Sequence, residues 1–230
     1  MKFMEAQLSR ESQTSGEVGQ VRYAPWLPAS LLVGCSRLRA AAVMLHRAGV
    51  FPKAGDLCLE VGFGWLGWLG TLLNWGVRER DLHGIDVDPV QVNRGREILP
   101  LADLRVGDAS HLPWESNRFR LIIASTLFTS LLDQNQRQRT ADEITRVLAG
   151  GGALLWYDFA MNNPSNPAVR KVSRRELRQL FPQLRGEIRS VTLAPPIARL
   201  VAPRSWALAT LMAAIPLLRT HLLAVLVKPR

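Results

Sequence analysis

The sequence is poor in cysteine and histidine, and this scarcity excludes several kinds of site. Its 230 residues contain only two cysteines, Cys35 and Cys58, which excludes a disulfide framework and a paired Cys-x-x-Cys metal pattern. None of the four histidines forms a pair at metal-ligand spacing. We therefore assign no metal, and we expect a cytoplasmic protein because free cysteines are typical of a reducing compartment.

The sequence also lacks a leader pattern and a clean membrane-spanning run. Residues 1–20 are polar and have no basic stretch followed by an apolar one, so we expect a flexible N-terminus and no signal peptide. Residues 205–227 are apolar but interrupted by Pro216, Arg219 and His221. These breaks predict a core helix followed by a core strand, with no stable membrane span.

Acidic residues are fewer than basic ones, which leaves a formal net charge of +10. The basic residues are nearly all arginines, and they are scattered along the chain with no recognisable nucleic-acid motif. We therefore interpret them as a solvated surface and expect no nucleic-acid partner. An acidic substrate or an anionic membrane surface is left open, because arginine suits the recognition of carboxylates and phosphates.

Strand and helix patterns alternate through the middle of the chain. Apolar runs bounded by turn signals predict five strands, at residues 57–61, 82–87, 104–106, 119–124 and 153–157. Helical patterns separate them, at residues 36–48, from the glycine turn to Gly76, 89–99 and 134–148. Ser36 is the predicted cap of the first helix, and Gly150-Gly151-Gly152 is expected to end the last. Such alternation indicates an α/β fold with a mostly parallel sheet.

The chain after Phe159 has a different pattern. A turn-rich loop is followed by a capping box of Ser173 with Glu176, which predicts a short helix. Two further strands, at residues 187–193 and 221–227, flank Pro195-Pro196 and a helix over 205–218. We see no linker and predict a single domain over residues 1–230, with a cofactor-binding core at 56–159 and a C-terminal segment at 160–230.

A glycine-rich turn follows the first of these strands. Gly62, Gly64 and Gly67 fit the spacing of a dinucleotide fingerprint, in which backbone comes close to a nucleotide at a helix N-terminus. Glu60, two positions before the first glycine, suits a cofactor that carries positive charge. The turn and this carboxylate together predict a cofactor site.

Two more acids end the next two strands. Asp86 is placed to accept hydrogen bonds from two ribose hydroxyls, and Asp108 is placed to accept one from an adenine amino group. Carboxyl ends of parallel strands meet at one sheet edge, so Glu60, Asp86 and Asp108 predict a single nucleoside site there.

The chain at this point resembles the class I S-adenosylmethionine-dependent methyltransferases. The resembling segments are LCLEVGFGWLG, LHGIDVDPVQVNRGRE, RVGDASHLPWESNRFRLIIAS and EITRVLAGGGALLWYDF. The resemblance implies a Rossmann-like sheet of seven strands, mostly parallel, with helices on both faces and an antiparallel last strand beside the fifth. YDFAMNNPSNPAVR and LRTHLLAVLVK also resemble pieces of a bacterial subgroup linked to polysaccharide or secondary-metabolite pathways.

The resemblance also implies roles for individual residues. The glycine turn would hold the methionine part of S-adenosyl-L-methionine, Asp86 its ribose, and Asp108 with Ala109 its adenine. The full set of predicted cofactor-binding residues is Glu60, Gly62, Gly64, Asp86, Val87, Asp108, Ala109 and Ser125.

The turn departs from the family pattern at one position. The family's third glycine is expected at position 66, where this chain has Leu66, with a glycine following at Gly67. Phe63 and Trp65 are also bulkier than the residues common there. A crowded turn is the reason to keep a non-catalytic binding subunit as an alternative.

Candidates for catalysis follow the fourth and fifth strands. Asp158 is the first choice for a general base or substrate anchor, because a carboxylate after an apolar strand is hard to explain by packing. The alternative for Asp158 is a loop cap. Tyr157, Ser125 and Thr126 are the other candidates for a base. Asn162, Asn163 and Arg170 are candidates for lining the acceptor pocket, with turn formation as the alternative for the two asparagines.

These features predict an S-adenosylmethionine-dependent methyltransferase acting on a small molecule, a sugar-derived metabolite or a modified peptide. A nicotinamide-dependent oxidoreductase is the alternative that the glycine spacing allows. Glu60 and the lack of a substrate domain count against it. The acceptor and the oligomeric state are left open.

Overall fold

A computed structural model describes residues 24–64, 67–162 and 169–230. Residues 1–23, Trp65, Leu66 and 163–168, which include the predicted N-terminus and Asn163, lie outside the described residues. The helices are α1 (Pro28–Arg47), α2 (Leu69–Asn74), α3 (Pro89–Ile98), α4 (Gln134–Val147), α5 (Arg174–Leu180), α6 (Pro195–Val201) and α7 (Trp206–Ala214). Short 3-10 turns cover Glu79–Asp81 and Pro216–Leu218.

Seven strands form one sheet in the order β3-β2-β1-β4-β5-β7-β6. The strands are β1 (Cys58–Val61), β2 (Leu82–Asp86), β3 (Asp103–Val106), β4 (Phe119–Ser125), β5 (Leu148–Phe159), β6 (Arg185–Leu193) and β7 (Arg219–Val227). Strands β1 to β5 pair in parallel, whereas β7 lies antiparallel between β5 and β6. The predicted fold class, including the antiparallel last strand beside the fifth, is therefore confirmed.

Apolar side chains cover both faces of the sheet. Alternate residues of a strand point to opposite faces, so Trp156 of β5 joins the cluster under α4 and α5, while Leu155 joins the cluster under α1 and α2. Central strands are buried on both faces, which explains the continuous apolar run of β4. This arrangement brings the carboxyl ends of β1, β2, β3, β4 and β5 to one edge.

Helix α1 begins eight residues before the predicted start. Pro28 occupies its first turn, where a missing backbone N–H costs nothing, so Ser36 lies inside the helix and the predicted cap is wrong. By length and composition, α1 could also cross a membrane, with a hydropathy of 1.3 over a window that is 28% buried. Its C-terminal half packs on the sheet through the buried side chains of Ala41, Met44 and Leu45.

Strand β5 begins before the triple glycine, and the prediction that the glycines precede the strand is wrong. The pairing register with β4 shifts between Phe119 and Leu121. A Cβ at Gly152 would lie 2.9 Å from the Phe119 carbonyl oxygen. The glycines therefore permit an irregularity inside the strand, where the backbones approach closely.

The chain between β6 and β7 corrects two further predictions. Pro195 starts helix α6 and does not merely break a strand. The predicted helix over 205–218 divides into α7 and a 3-10 turn, and in α7 only Ala209 is buried. Strand β7 is a core strand as predicted, but α7 is not a core helix, because it lies on the outside of α6 and the sheet edge.

Candidate functional site

The glycine turn after β1 brings backbone N–H groups to the carboxyl edge of the sheet. Gly62 and Gly64 both have positive φ values, +70° and +47°, a region that favours glycine because it has no Cβ. A Cβ at Gly62 would also lie 3.0 Å from Cδ1 of Leu127, in the loop after β4. Glycine at position 62 therefore allows the turn to pack against that loop.

Phe63 does not crowd this turn. Its side chain is buried in the core under α1 and α2. A Cβ at Gly84 of β2 would lie only 2.7 Å from the Phe63 ring, so the small residue at 84 leaves room for that ring. The bulk at position 63 therefore points away from the cofactor edge, while Trp65 and Leu66 lie outside the described residues.

Glu60, the next-to-last residue of β1, has a buried carboxylate. One oxygen accepts hydrogen bonds from the backbone N–H groups of Trp68 and Leu69, both at 3.0 Å. These groups start α2 and have no partner within the helix, so the carboxylate caps the helix and favours its positive N-terminal end. Glu60 thus fixes the end of the glycine turn that leads into α2. Its contact with the cofactor stays a prediction.

Asp86 connects the glycine turn to the end of β2. Its carboxylate accepts a 2.7 Å hydrogen bond from the Gly64 N–H and a 3.0 Å bond from the Asp88 N–H. The side chain is only partly buried, and the neighbouring Val87 is 69% exposed. Asp86 and Val87 therefore border open space beside the turn, where the sequence places the ribose.

Asp108 lies at the same edge, one strand further out. The Gly107 N–H donates to the Asp86 carbonyl oxygen at 2.9 Å, which joins the two strand ends. The Ser110 N–H donates to the Asp108 carboxylate and is the main reason that the pKa of this group is lowered. Asp108 is exposed and ionised, whereas Ala109 beside it is largely buried.

Ser125 ends β4 and is partly buried. The next residue, Thr126, has a φ of +54°, and its N–H donates to the Tyr157 carbonyl oxygen at 2.7 Å. A positive φ is uncommon for a non-glycine residue and costs free energy that its surroundings must supply. The loop after β4 is therefore fixed in a sharp bend beside Gly62.

Asp158 of β5 fixes this loop through hydrogen bonds. Its carboxylate accepts hydrogen bonds from the N–H groups of Phe128 and Thr129 and from the Thr129 hydroxyl. The side chain is fully buried, and burial raises its pKa to about 6. A group that is enclosed and hydrogen-bonded in this way does not face an acceptor. The geometry favours the alternative of a loop cap, although the capped loop follows β4 and not β5.

Tyr157 lies on the opposite face of β5. Its hydroxyl is 3.0 Å from the Thr192 hydroxyl, and its ring stacks on His221 with centroids 4.9 Å apart. Burial raises the pKa of Tyr157. Burial also lowers that of His221 to about 3. Both rings belong to the core under α1, so the structure separates the two predicted catalytic candidates.

Arg37 is a polar group that the sequence analysis missed. Its guanidinium lies 5.1 Å from the Trp68 ring centroid and 5.2 Å from that of Tyr157. Its Nε is buried without a hydrogen-bond partner. The available signal was spacing, because Arg37 stands four residues before Ala41 on the buried face of α1.

Further polar and aromatic side chains near the site divide between this edge and the core. Trp114 is 6% exposed and donates from Nε1 to Asp103, so it belongs to the core. His111 is exposed beside Asp108. Arg170 donates to Glu176 and Gln134, and the Asn162 side chain accepts from the Lys171 N–H. Within the described ranges, no three His, Cys, Asp or Glu side chains are grouped to hold a metal.

Comparison with known proteins agrees with this geometry. The methyltransferase domain family matches residues 58–152, which span β1 to the first half of β5. No curated protein matches the sequence at a significant level.

Solved structures of methyltransferases share the fold at low sequence identity. A putative sarcosine dimethylglycine methyltransferase from Galdieria sulphuraria is 18% identical, with a TM-score of 0.65 over 84% of this chain and 85% of that one. A putative methyltransferase in complex with the Trm112 activator of Haloferax volcanii is 20% identical, with a TM-score of 0.61 over 88% and 94%. Geranyl diphosphate C-methyltransferase from Streptomyces coelicolor, in complex with Mg²⁺, geranyl diphosphate and S-adenosyl-L-homocysteine, is 16% identical, with a TM-score of 0.60 over 83% and 78%.

The family match covers the glycine turn and the three acids Glu60, Asp86 and Asp108 at or just after the ends of β1, β2 and β3. This match and the shared fold confirm the predicted resemblance and the methyltransferase class, and neighbours solved with S-adenosyl-L-methionine or S-adenosyl-L-homocysteine support the predicted cofactor. Residues 58–152 therefore match a methyltransferase domain, and the chain has the fold of the class I S-adenosylmethionine-dependent methyltransferases.

Proposed function

We propose that this protein transfers a methyl group from S-adenosyl-L-methionine to a small-molecule acceptor. One observation supports this most strongly. The glycine turn, Asp86 and Asp108 lie together at the carboxyl edge of the sheet, joined by the hydrogen bonds of Gly64 and Gly107. Ligands of open α/β sheets bind at this edge. A sugar-derived metabolite or a modified peptide is the kind of acceptor we propose.

The residues present suit this cofactor. Asp86 and Asp108 are carboxylates on the accessible side of the edge, and such groups accept hydrogen bonds from ribose hydroxyls and an adenine amino group. The positive φ values of Gly62 and Gly64 leave the turn without side chains at those two positions. Asp86 would hold the ribose, Asp108 and Ala109 the adenine, and the turn the methionine part.

When bound, S-adenosyl-L-methionine supplies an electrophilic methyl group on a sulfonium sulfur. The chain's own task is to align the acceptor in line with that group and to exclude water. Ser125 and Thr126 stand at the end of β4 beside Gly62, where they can line the acceptor side. Asp158 is a positioning residue, since it fixes this loop through Thr129.

Arg37 supports a second contribution to positioning. Its guanidinium lies against Trp68, whose backbone N–H is capped by Glu60 at the start of α2. The contact ties α1 to the helix that follows the glycine turn. A cation held between two aromatic rings is stabilised by their faces, so Arg37 helps to fix this helix.

A non-catalytic binding protein is the rival that the sequence raised. Its motivation was a crowded turn, and the burial of Phe63 under Gly84 removes one of the three bulky residues from that argument. Trp65 and Leu66 are the other two. Cofactor affinity and turnover therefore decide between the two functions.

Calorimetric titration with S-adenosyl-L-homocysteine tests the proposal, with NADH as the parallel control. Micromolar binding of the first and no binding of the second is the expected result. A screen of acceptors for transfer of a labelled methyl group follows. Binding without transfer to any acceptor class would favour the binding protein, and binding of NADH alone would overturn the proposal.

A further inference from the structure

Residues 194–218, inserted between β6 and β7, form a surface that we call the apolar cap. Its helix α7 has the sequence WALATLMAA, without a charged residue, and buries only Ala209. The large apolar side chains that this cap exposes are Leu200, Trp206, Leu208, Leu211, Ile215 and Leu217. Leu217 is 92% exposed. A helix that is apolar on every side is normally buried, so this surface suits a covering partner.

A basic cavity adjoins the apolar cap. It has a volume of about 480 Å³ and lies between α1, β6 and the cap, with Ala213 of α7 in its wall. The arginines that line it are Arg39, Arg47, Arg189 and Arg219, and no acidic residue does. This concentration of positive charge predicts an anionic ligand group.

Two of these arginines are available to a ligand. Arg189 pairs with Glu187, and Arg219 donates to the carbonyl oxygens of Ala213, Ala214 and Ser190. Arg39 and Arg47 are exposed and form no ion pair with the acids that the structure describes. Their charges therefore face the cavity and the solvent.

We propose that the apolar cap and this cavity dock the protein on a membrane surface rich in anionic phospholipid. Apolar side chains of α7 and the following turn enter the acyl boundary, while the arginines bind phosphate groups of the lipids. Trp206 suits the headgroup level, where one side of an aromatic ring is wet and the other apolar. The net charge of +10 favours the same partner and disfavours close packing of two identical copies.

The position of the apolar cap in the fold adds a reason for this partner. Leu193 pairs with Arg219, and Phe159 pairs with His221, so the cap begins and ends at the carboxyl edge of β5 and β6. Asp86 ends β2 and Asp108 follows β3 at the same edge. Docking through the cap would hold the candidate active site near the lipid surface. The docking itself does not depend on methyl transfer.

Vesicle co-sedimentation of the full chain tests the proposal. Vesicles of phosphatidylcholine with phosphatidylglycerol should bind the protein, and pure phosphatidylcholine should bind it much less. Leu211→Glu with Leu217→Glu should lower the partition coefficient at least about tenfold. Arg39→Glu with Arg47→Glu should lower it roughly twenty-fold or more, at about fivefold for each basic charge near an anionic surface.

Two control variants carry a single change of each kind elsewhere, to be compared with the single variants Leu211→Glu and Arg39→Glu. Leu101 is 68% exposed just before β3, which is the outer strand on the other side of the sheet from β6. Arg175 is exposed on α5, across the sheet from α1. Leu101→Glu and Arg175→Glu should leave vesicle binding within about twofold, and circular dichroism should show all variants folded. These side chains are on the surface, so we expect no loss of folding.

Several results would overturn the proposal. Equal binding to both vesicle types would exclude recognition of anionic lipid, and equal losses in the control variants would reduce the effect to net charge. Sedimentation equilibrium provides the remaining test. A dimer that Leu211→Glu with Leu217→Glu dissociates, with vesicle binding unchanged, would assign the apolar cap to a second copy of the chain.

Discussion

The glycine turn and the apolar cap lie at the same edge of one sheet, yet different forces order them. Around the turn, carboxylates of Glu60 and Asp86 bind backbone N–H groups at 2.7 to 3.0 Å. The apolar cap contains no carboxylate to bind its backbone N–H groups, and it leaves Leu217 and Leu211 largely exposed. A region ordered by internal hydrogen bonds is complete by itself, whereas an exposed apolar region gains free energy only when something covers it.

The comparison predicts different costs of substitution in the two regions, and the largest is expected at Glu60. Glu60→Ala removes the acceptor of two N–H groups at the buried start of α2. We expect it to lower the free energy of unfolding by about 2–5 kcal/mol. Urea denaturation measures this loss. Glu60→Gln keeps an acceptor oxygen and should lose less stability. An alanine variant as stable as wild type would contradict the role of Glu60 as the cap of α2.

The next largest effect is expected at Asp86, beside the glycine turn, and it concerns cofactor affinity. Asp86→Ala should weaken S-adenosyl-L-homocysteine binding by roughly 100-fold, because a charged acceptor for two hydroxyls is lost. The protein should stay folded. Asp88→Ala is the matched control, since Asp88 caps α3 through the Val90 N–H and lies two residues away. Calorimetry should show near wild-type affinity for that control, and unchanged affinity in a folded Asp86→Ala variant would refute the ribose assignment.

Asp158, on a strand between the two regions, gives a pH test. Its folded pKa of about 6 lies above the unfolded value near 3.9, so the folded state holds the proton more tightly. Its contribution is fully present below about pH 4 and is lost as pH rises through 6, by roughly 2–3 kcal/mol.

Asp158→Asn isolates this effect from other titrating groups, including His221. The stability difference between wild type and variant, from urea denaturation, should move against wild type between about pH 4 and 6. A shift in the opposite direction would mean that the hydrogen bonds from Phe128 and Thr129 outweigh burial and keep the carboxylate ionised.

The smallest effect is expected in the apolar cap. Leu211→Glu in the free protein should change the free energy of unfolding by no more than about 0.5 kcal/mol, because a side chain that is 68% exposed has little packing to lose. Thermal denaturation in the absence of lipid measures this. A loss as large as that at Glu60 would show that the cap is a packed part of the core.

Most of the parallel part of the sheet was predictable, because its strands and helices are defined by sequence patterns that involve residues close together in the chain. Asp88 caps α3 with Pro89 in the first turn, and Ser173 caps α5 through the Glu176 N–H as predicted, although the Glu176 carboxylate pairs with Arg137 and Arg170 and does not complete the box. Each depends on residues two or three apart, and an apolar run bounded by turn signals defines each central strand. The places of Asp86 and Asp108 at the carboxyl edge were predictable for the same reason, because Asp86 ends β2 and Asp108 lies two residues after β3.

The sequence was least informative where tertiary packing decides the outcome. The hydrogen bonds that favour a loop cap at Asp158 were not predictable, because its partner Thr129 is distant in sequence and belongs to another loop. An apolar helix such as α7 has the same composition whether it is buried or exposed, and Arg37 needed the structure to reveal its two aromatic neighbours. Sequence spacing cannot distinguish such cases, because they depend on contacts between distant segments.

The insertion of β7 between β5 and β6 also constrains the order of folding. Strand β6 pairs with β7 alone, and β5 has only β4 as a partner until β7 is added. During synthesis, β1 to β5 can assemble with their helices while β6 still has no neighbour. We expect that the sheet can close only after β7 has emerged from the ribosome. Until then, the edge of β5 is open to pairing with another chain.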